Sequence, residues 1–126
     1  MSIALACSGY AARGLGQRSL ARHHLHRALR TAAATQALLP LMYVLPGLAL
    51  LLADEGQTER AVELYALASR HPLVANSRWF EDVAGRHIAA AAAALPPDVV
   101  TAAQERGRAR DLDATVAELL AKWEGA

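Results

Sequence analysis

Three histidines lie close together near the start of the chain, at positions 23, 24 and 26. Imidazole nitrogens are common zinc ligands, and His23 and His26 can share one face of a helix. A zinc site needs further ligands, yet no Asp or Glu precedes Asp54. The sequence therefore predicts no metal site, and no other pattern in it calls for a cofactor.

Patterns typical of catalysis are also incomplete. Glu81 and Asp82 are adjacent, so on a helix their carboxylates point in different directions and make a poor acid–base pair. The segment 14–19 begins like a dinucleotide-binding fingerprint, but it lacks the third glycine and the preceding strand. No Ser has the glycines of a nucleophile elbow around it. We therefore expect a protein that is not an enzyme.

A basic ridge recurs every four residues in a predicted helix and is formed by Arg18, Arg22, His26 and Arg30. Such a ridge can hold nucleic-acid phosphates or an acidic protein partner. It can also be the solvated face opposite an apolar stripe of Ala21, Leu25 and Ala28. No aromatic residues interleave the charges, so the solvated face is the favoured interpretation and nucleic acid the alternative partner.

Composition predicts an all-α protein with one core. The 126 residues are 54% hydrophobic and 5% aromatic, and Ala and Leu dominate. Only one cysteine, Cys7, is present and no basic, apolar leader precedes it, which favours a cytoplasmic location. The uncharged segment 37–53 contains Pro40, Pro46 and Gly47, and we expect it to be a buried helix that does not enter a membrane.

Charge is distributed unevenly along the chain. Five arginines and no acidic residue precede Asp54, a net charge of +5. From Asp54 onward, eight basic residues face twelve acidic ones, a net charge of −4. This asymmetry suggests that the first part of the chain meets a neighbouring domain or a polyanion.

Helix start and stop signals divide the chain into about seven helices. The expected N-caps are Asn76, Ser77 and Asp111, and the expected turn residues are Gly14, Gly16 and Gly56. The predicted helices cover residues 2–13, 17–34, 38–54, 58–70, 77–95, 98–107 and 112–123.

Two of the predicted helical hairpins carry the same pattern of small and large residues. The clearer copy consists of Leu45, Leu48, Ala49, Leu52, Gly56, Ala61, Tyr65, Ala68 and Pro72, and the earlier copy of Leu5, Ser8, Gly9, Ala12, Gly16, Ala21, Leu25 and Ala28. Ala positions allow close helix contacts, and the large residues fill the space between helices. The pattern resembles the tetratricopeptide repeat, although the copies lie 40 residues apart.

This resemblance implies a solenoid of helical hairpins in a single domain over residues 1–126. Its parts are hairpins at about 2–34 and 38–70, a divergent hairpin at 77–107 and a capping helix at 112–123. In the repeat family, the first helix of each hairpin lines an inner groove that binds partners. The side chains expected in this groove are Tyr10, Arg13, Tyr43, Arg78, Glu81 and His87.

The last part of the chain, residues 95–120, resembles the end of bacterial multidomain regulators. In these proteins, which include signal-transduction ATPases (STAND) and LuxR-like transcriptional regulators, an ATPase module precedes helical repeats. The matching features are a helix with Ala102, Ala103 and Gln104, a turn at 107–109 and a helix start at 111–113. The resemblance implies a sensor or scaffold module that binds a protein, peptide or small ligand. Upstream repeats and the ATPase would be partners, and an uncapped first hairpin could form homo-oligomers.

Overall fold

The computed structural model describes residues 2–36 and 38–124, of which the large majority are helical. No strand occurs in these two ranges, which confirms the all-α prediction. The predicted domain limits, Met1 and Ala126, and Ala37, the first residue of the apolar segment, lie outside the described residues.

The helices follow one another with short connections. The α-helices in chain order are α1 (Ser2–Gly14), α2 (Arg18–Thr35), α3 (Leu38–Asp54), α4 (Thr58–Ala68), α5 (Pro72–Ala75), α6 (Arg78–Phe80), α7 (Arg86–Ala92), α8 (Pro97–Ala109) and α9 (Leu112–Glu124). A π-helical turn, Glu81–Gly85, joins α6 to α7 without a break. The short helix α5 is absent from the prediction, and the predicted helix at 77–95 is a composite of α6, the π turn and α7.

Of the three predicted N-caps, Ser77 and Asp111 are confirmed, and Asn76 is wrong because it is the C-cap of α5. The Ser77 hydroxyl accepts a hydrogen bond from the backbone N–H of Phe80 at 3.3 Å, and Asp111 Oδ2 accepts one from the N–H of Ala114 at 2.8 Å. The predicted turn at 107–109 is wrong, because Gly107 lies inside α8. The close packing of α8 on α4 requires a residue without a side chain at this position. In a sequence, such a glycine looks the same as a glycine in a turn.

The connections α1–α2 and α3–α4 have the same local structure 40 residues apart. Gly16 and Gly56 both adopt positive φ, at 79° and 84°. The residue after each glycine donates its N–H to a carbonyl five residues earlier, Gln17 to Ala12 at 2.9 Å and Gln57 to Leu52 at 2.8 Å. Both turns are therefore Schellman motifs, which end a helix by satisfying its last carbonyls. The two connections thus have the same turn geometry at the two glycines that the repeated sequence pattern aligns.

The chain forms two compact units. The first contains residues 1–44 and 110–126. Here α1 packs against α2, and α9 packs against the same helix α2. The buried face of α2 carries Ala21, Leu25, Ala28, Leu29 and Ala32. In this unit the apolar stripe predicted for α2 is thus a packed face.

The second unit contains residues 45–109. Helix α4 is its centre, because both α7 and α8 pack against it. Fully buried Leu45, Leu48 and Phe80 belong to its core. Gly107 brings α8 so close to α4 that a Cβ there would overlap the backbone oxygen of Glu63.

Helix α3 carries Pro46 in its interior, where the residue is fully buried. Proline has no N–H, so one backbone hydrogen bond of the helix is missing at this point. No helix within the described ranges is long and apolar enough to cross a membrane.

Candidate ligand-binding cavity

A cavity of about 790 Å³ opens between three helical segments of the second unit. One wall is α4, the second is the π turn with α7, and the third is α8. Ligand pockets for small molecules generally have volumes of about 300–1,000 Å³. The cavity thus has the dimensions of a small-molecule site.

The described residues that line the cavity combine an apolar body with seven polar or charged side chains. The apolar side chains include Val62, Ala66, Ile88, Ala89, Ala92 and Val100, and the polar ones are Tyr65, Ser69, Arg70, Glu81, Thr101, Gln104 and Arg108. Helical spacing explains the set: on α8, residues 97, 101, 104 and 108 recur every three or four positions and so share a face. An apolar lining with few polar groups is typical of ligand sites.

The π turn places an acceptor and a donor side by side on the cavity wall. A Cβ at Gly85 would lie 2.5 Å from Glu81 Oε2 and 2.6 Å from the Tyr65 hydroxyl oxygen. Both oxygens therefore lie over the same point of the helix backbone, and a Cβ there would require at least one of the two side chains to shift. The N–H of Arg86 donates to the carbonyl of Glu81, five residues earlier, which is the hydrogen bond of a π turn.

Tyr65 keeps its proton in this setting. Burial raises the pKa of the Tyr65 hydroxyl above its ordinary value of 10.0, and the negative charge of Glu81 raises this pKa further. At neutral pH the hydroxyl is thus a hydrogen-bond donor beside a carboxylate that can only accept. The pair can bind a group that offers both an acceptor and a donor.

A smaller cavity of about 440 Å³ continues from this point. It shares Tyr65, Ser69 and Glu81 with the larger cavity and adds Asn76, Ser77 and Arg78. The two cavities therefore meet at Tyr65, Ser69 and Glu81.

In the second unit, the structure brings two of the predicted groove residues together. Arg78 and Glu81 line the smaller cavity, and Glu81 also lines the larger one. His87 is exposed and lines neither of these cavities.

In the first unit, the predicted groove residues are buried or half-buried, and one of them forms a hydrogen bond between two helices. Tyr10 is 8% exposed, and its hydroxyl donates to the backbone oxygen of Tyr43 at 2.8 Å. This bond links α1 to α3 within the unit. Arg13 and Tyr43 are half-buried. The Tyr10 side chain is therefore buried, and it holds the backbone of Tyr43 in place through this hydrogen bond.

The predicted basic ridge lies on α2. Arg18, Arg22 and Arg30 are exposed, whereas His26 is partly buried. The exposed arginines lie opposite the buried face of α2, as the sequence pattern predicts. The rings of His23 and His24 lie 5.9 Å apart at 54°. In the described part of the chain no group of three or more His, Cys, Asp or Glu side chains is arranged to hold a metal ion.

Sequence reasoning missed part of the cavity. Tyr65 is assigned by the repeat pattern to helix packing only, and Gln104 and Arg108 to a terminal hairpin. A hydroxyl on an otherwise apolar packing position is the signal that points to Tyr65. No sequence signal identifies Gln104 or Arg108, because their role depends on how α8 packs on α4.

Comparisons with protein-family models, curated proteins and solved structures give no match for this chain. The class defined by the structure is therefore an all-α protein with helical hairpins and a ligand-sized cavity. The resemblance to tetratricopeptide repeats and to STAND or LuxR-like regulators stays a prediction.

Proposed function

We propose that this chain is a non-enzymatic binding module that takes up a small amphipathic ligand in the cavity between α4, α7 and α8. The main support is the cavity itself, with its volume of about 790 Å³, its apolar body and the polar pair Tyr65 and Glu81. Binding energy would come from burial of the apolar part of the ligand. The polar pair would select its head group.

The wider context that we propose is regulatory. The resemblance of residues 95–120 to the ends of STAND-type regulators favours a sensor or scaffold role next to an ATPase and further repeats. In this context, the ligand-bound module would restrain the ATPase by direct contact. Extending the genomic reading frame upstream tests this context, since a phosphate-loop ATPase is expected there.

Titration with the amphipathic fluorescent probe anilinonaphthalene sulfonate, whose aromatic rings bind apolar surfaces, tests the binding function. We expect saturable binding to the folded protein. The variant Ala89→Phe/Ala93→Phe fills the cavity, because both alanines line it and both are exposed. Its affinity for the probe should fall at least about ten-fold, the loss expected when about 1.4 kcal/mol of binding free energy is removed.

The matched control is Ala90→Phe/Ala94→Phe, at two exposed positions that do not line the cavity. This variant adds the same apolar area and should bind the probe like the unmodified chain. Absence of saturable binding, or equal losses in both variants, would contradict the proposed function. Circular dichroism of both variants checks that the helices are intact.

A second candidate function uses the basic ridge of α2. Its support is that Arg18, Arg22 and Arg30 lie on the exposed face of the helix. In this function the chain is an adaptor that binds nucleic acid or an acidic protein. Retention on duplex DNA that declines steeply with salt would favour it, and no retention at low salt would exclude DNA as the partner.

Homo-oligomer formation through the first hairpin also stays a proposal. Leu15, at the α1–α2 turn, is 76% exposed, and Ile3 and Leu5 are partly exposed. Concentration-dependent light scattering tests the proposal. A constant monomer mass would contradict it.

A further inference from the structure

The head group that fits the cavity is set by the side-by-side arrangement of Tyr65 and Glu81. Their oxygens lie 2.6 and 2.5 Å from one point above Gly85, and both side chains line the larger cavity. The hydroxyl donates and the carboxylate accepts. A head group that pairs with both side chains therefore needs an acceptor for Tyr65 and a donor for Glu81.

A primary amide has this arrangement, with a carbonyl oxygen and an N–H₂ on the same carbon. Its carbonyl oxygen can accept from Tyr65 while its nitrogen donates to Glu81. A carboxylate head group could accept from Tyr65 but offers no donor to Glu81. An ammonium head group could donate to Glu81 but offers no acceptor to Tyr65.

Charges elsewhere on the lining do not favour a single sign. Glu81 is negative, and Arg70 and Arg108 are positive. Because both signs are present on an exposed rim, solvent screens their effect on a charged ligand. Hydrogen-bond geometry at the Tyr65 and Glu81 pair is therefore the stronger criterion for the head group.

We infer that the cavity binds an uncharged amphiphile, with an apolar body between α4, α7 and α8 and an amide head group held between Tyr65 and Glu81. The inference rests on the proposed binding function and adds the chemical class of the ligand. It requires the Tyr65 hydroxyl and the Glu81 carboxylate to act together, since each satisfies one half of the amide.

The test compares three compounds with the same apolar tail: octanamide, octanoate and octylammonium. Each competes with anilinonaphthalene sulfonate for the folded protein, so that all three affinities are measured in one assay. We expect octanamide to compete at least about five-fold more strongly than either charged compound, as two hydrogen bonds to buried or charged groups predict.

Two variants assign this preference to the pair. In Tyr65→Phe, octanamide should lose about three- to ten-fold in affinity, the range expected for one hydrogen bond. In Glu81→Gln the acceptor oxygen remains but its charge is lost, and a similar factor is expected because a hydrogen bond to a charged group is stronger than one to a neutral group. The control for the carboxylate is Asp82→Asn, because Asp82 is the exposed neighbour of Glu81 and does not line the cavity. In this control the preference for octanamide should persist.

The outcomes separate the inference from the function on which it rests. If the probe binds and octanoate or octylammonium competes as well as octanamide, the amide head group is wrong and the cavity remains a binding site. The same holds if Asp82→Asn reduces the preference as much as Glu81→Gln. If the probe itself does not bind, the proposed function fails.

Discussion

Gly107 in α8 lies directly against the backbone carbonyl of Glu63 in α4. A Cβ at residue 107 would overlap the Glu63 oxygen and would lie 2.9 Å from the Cβ of Ala66. Beside this contact, Arg106 forms ion pairs with Glu59 at 2.9 Å and Glu63 at 3.4 Å. The cavity wall formed by α8 is therefore held in place by close backbone packing.

Replacing Gly107 by alanine should strongly destabilise the second unit. The new methyl group meets backbone atoms that cannot rotate away, so we expect a loss of about 2 kcal/mol or more in the free energy of unfolding. Urea denaturation measures the loss. Gly14→Ala is the matched control, because a Cβ at Gly14 in α1 has open space around it. An equal effect of the two substitutions would contradict the packing argument.

The two Schellman turns should respond equally to substitution. Gly16 and Gly56 have φ of 79° and 84°, and a Cβ at either position meets nothing within 4 Å. Alanine at either position is strained only through its backbone, at a cost of about 1 kcal/mol. Thermal unfolding of Gly16→Ala and Gly56→Ala should show similar losses. A several-fold larger loss at one turn would show that the two turns are not structurally equivalent.

Asp111 should be the main N-terminal stabiliser of α9. Its carboxylate accepts the N–H of Ala114 at 2.8 Å, and its backbone oxygen accepts the Thr115 hydroxyl at 2.7 Å. We expect Asp111→Ala to cost about 1 kcal/mol in stability, whereas Asp111→Asn keeps most of the cap. Chemical denaturation of both variants checks this order. Equal losses would indicate that the charge matters and the cap does not.

Glu81 should raise the pKa of Tyr65 through its charge. Because burial also raises this pKa, Glu81→Gln should lower it without returning it to the ordinary value of 10.0. Near-ultraviolet absorbance during alkaline titration measures tyrosinate formation, and Tyr65→Phe identifies the contribution of this residue. An unchanged titration in Glu81→Gln would place the carboxylate too far from the hydroxyl to form the proposed pair.

The same pKa determines how stability changes at high pH. The unfolded chain releases the Tyr65 proton near pH 10, whereas the folded chain retains it to higher pH. Stability therefore decreases as pH rises above 10 until the folded-state pKa is passed. Tyr65→Phe should show a shallower decrease over this range, measured by urea unfolding at a series of pH values. If the stability of Tyr65→Phe decreased more steeply with pH than that of the unmodified chain, the Tyr65 pKa would not be raised in the folded state.

Much of the local structure could be predicted from the sequence, because caps and turns have short signatures. The predicted caps at Ser77 and Asp111 accept hydrogen bonds from their helices. The predicted turn glycines, Gly16 and Gly56, have positive φ. Gly107 misleads for a physical reason, since a glycine that ends a helix and a glycine at a helix contact look alike in one sequence. The sequence pattern assigns Glu81 to an inner groove, and this assignment stays a prediction. Its position beside Tyr65 on the cavity wall depends on a π turn that has no sequence signature.

The π turn at Glu81–Gly85 behaves like an inserted residue in the helical run from Arg78 to Ala92. A chain shortened by one residue here could continue as a regular α-helix and keep its hydrogen bonds. The shorter chain would rotate Glu81 relative to Ile88 and separate its carboxylate from the Tyr65 hydroxyl. One additional residue, accommodated inside a helix as a π turn, thus determines which side chain of this run lies beside Tyr65 on the cavity wall.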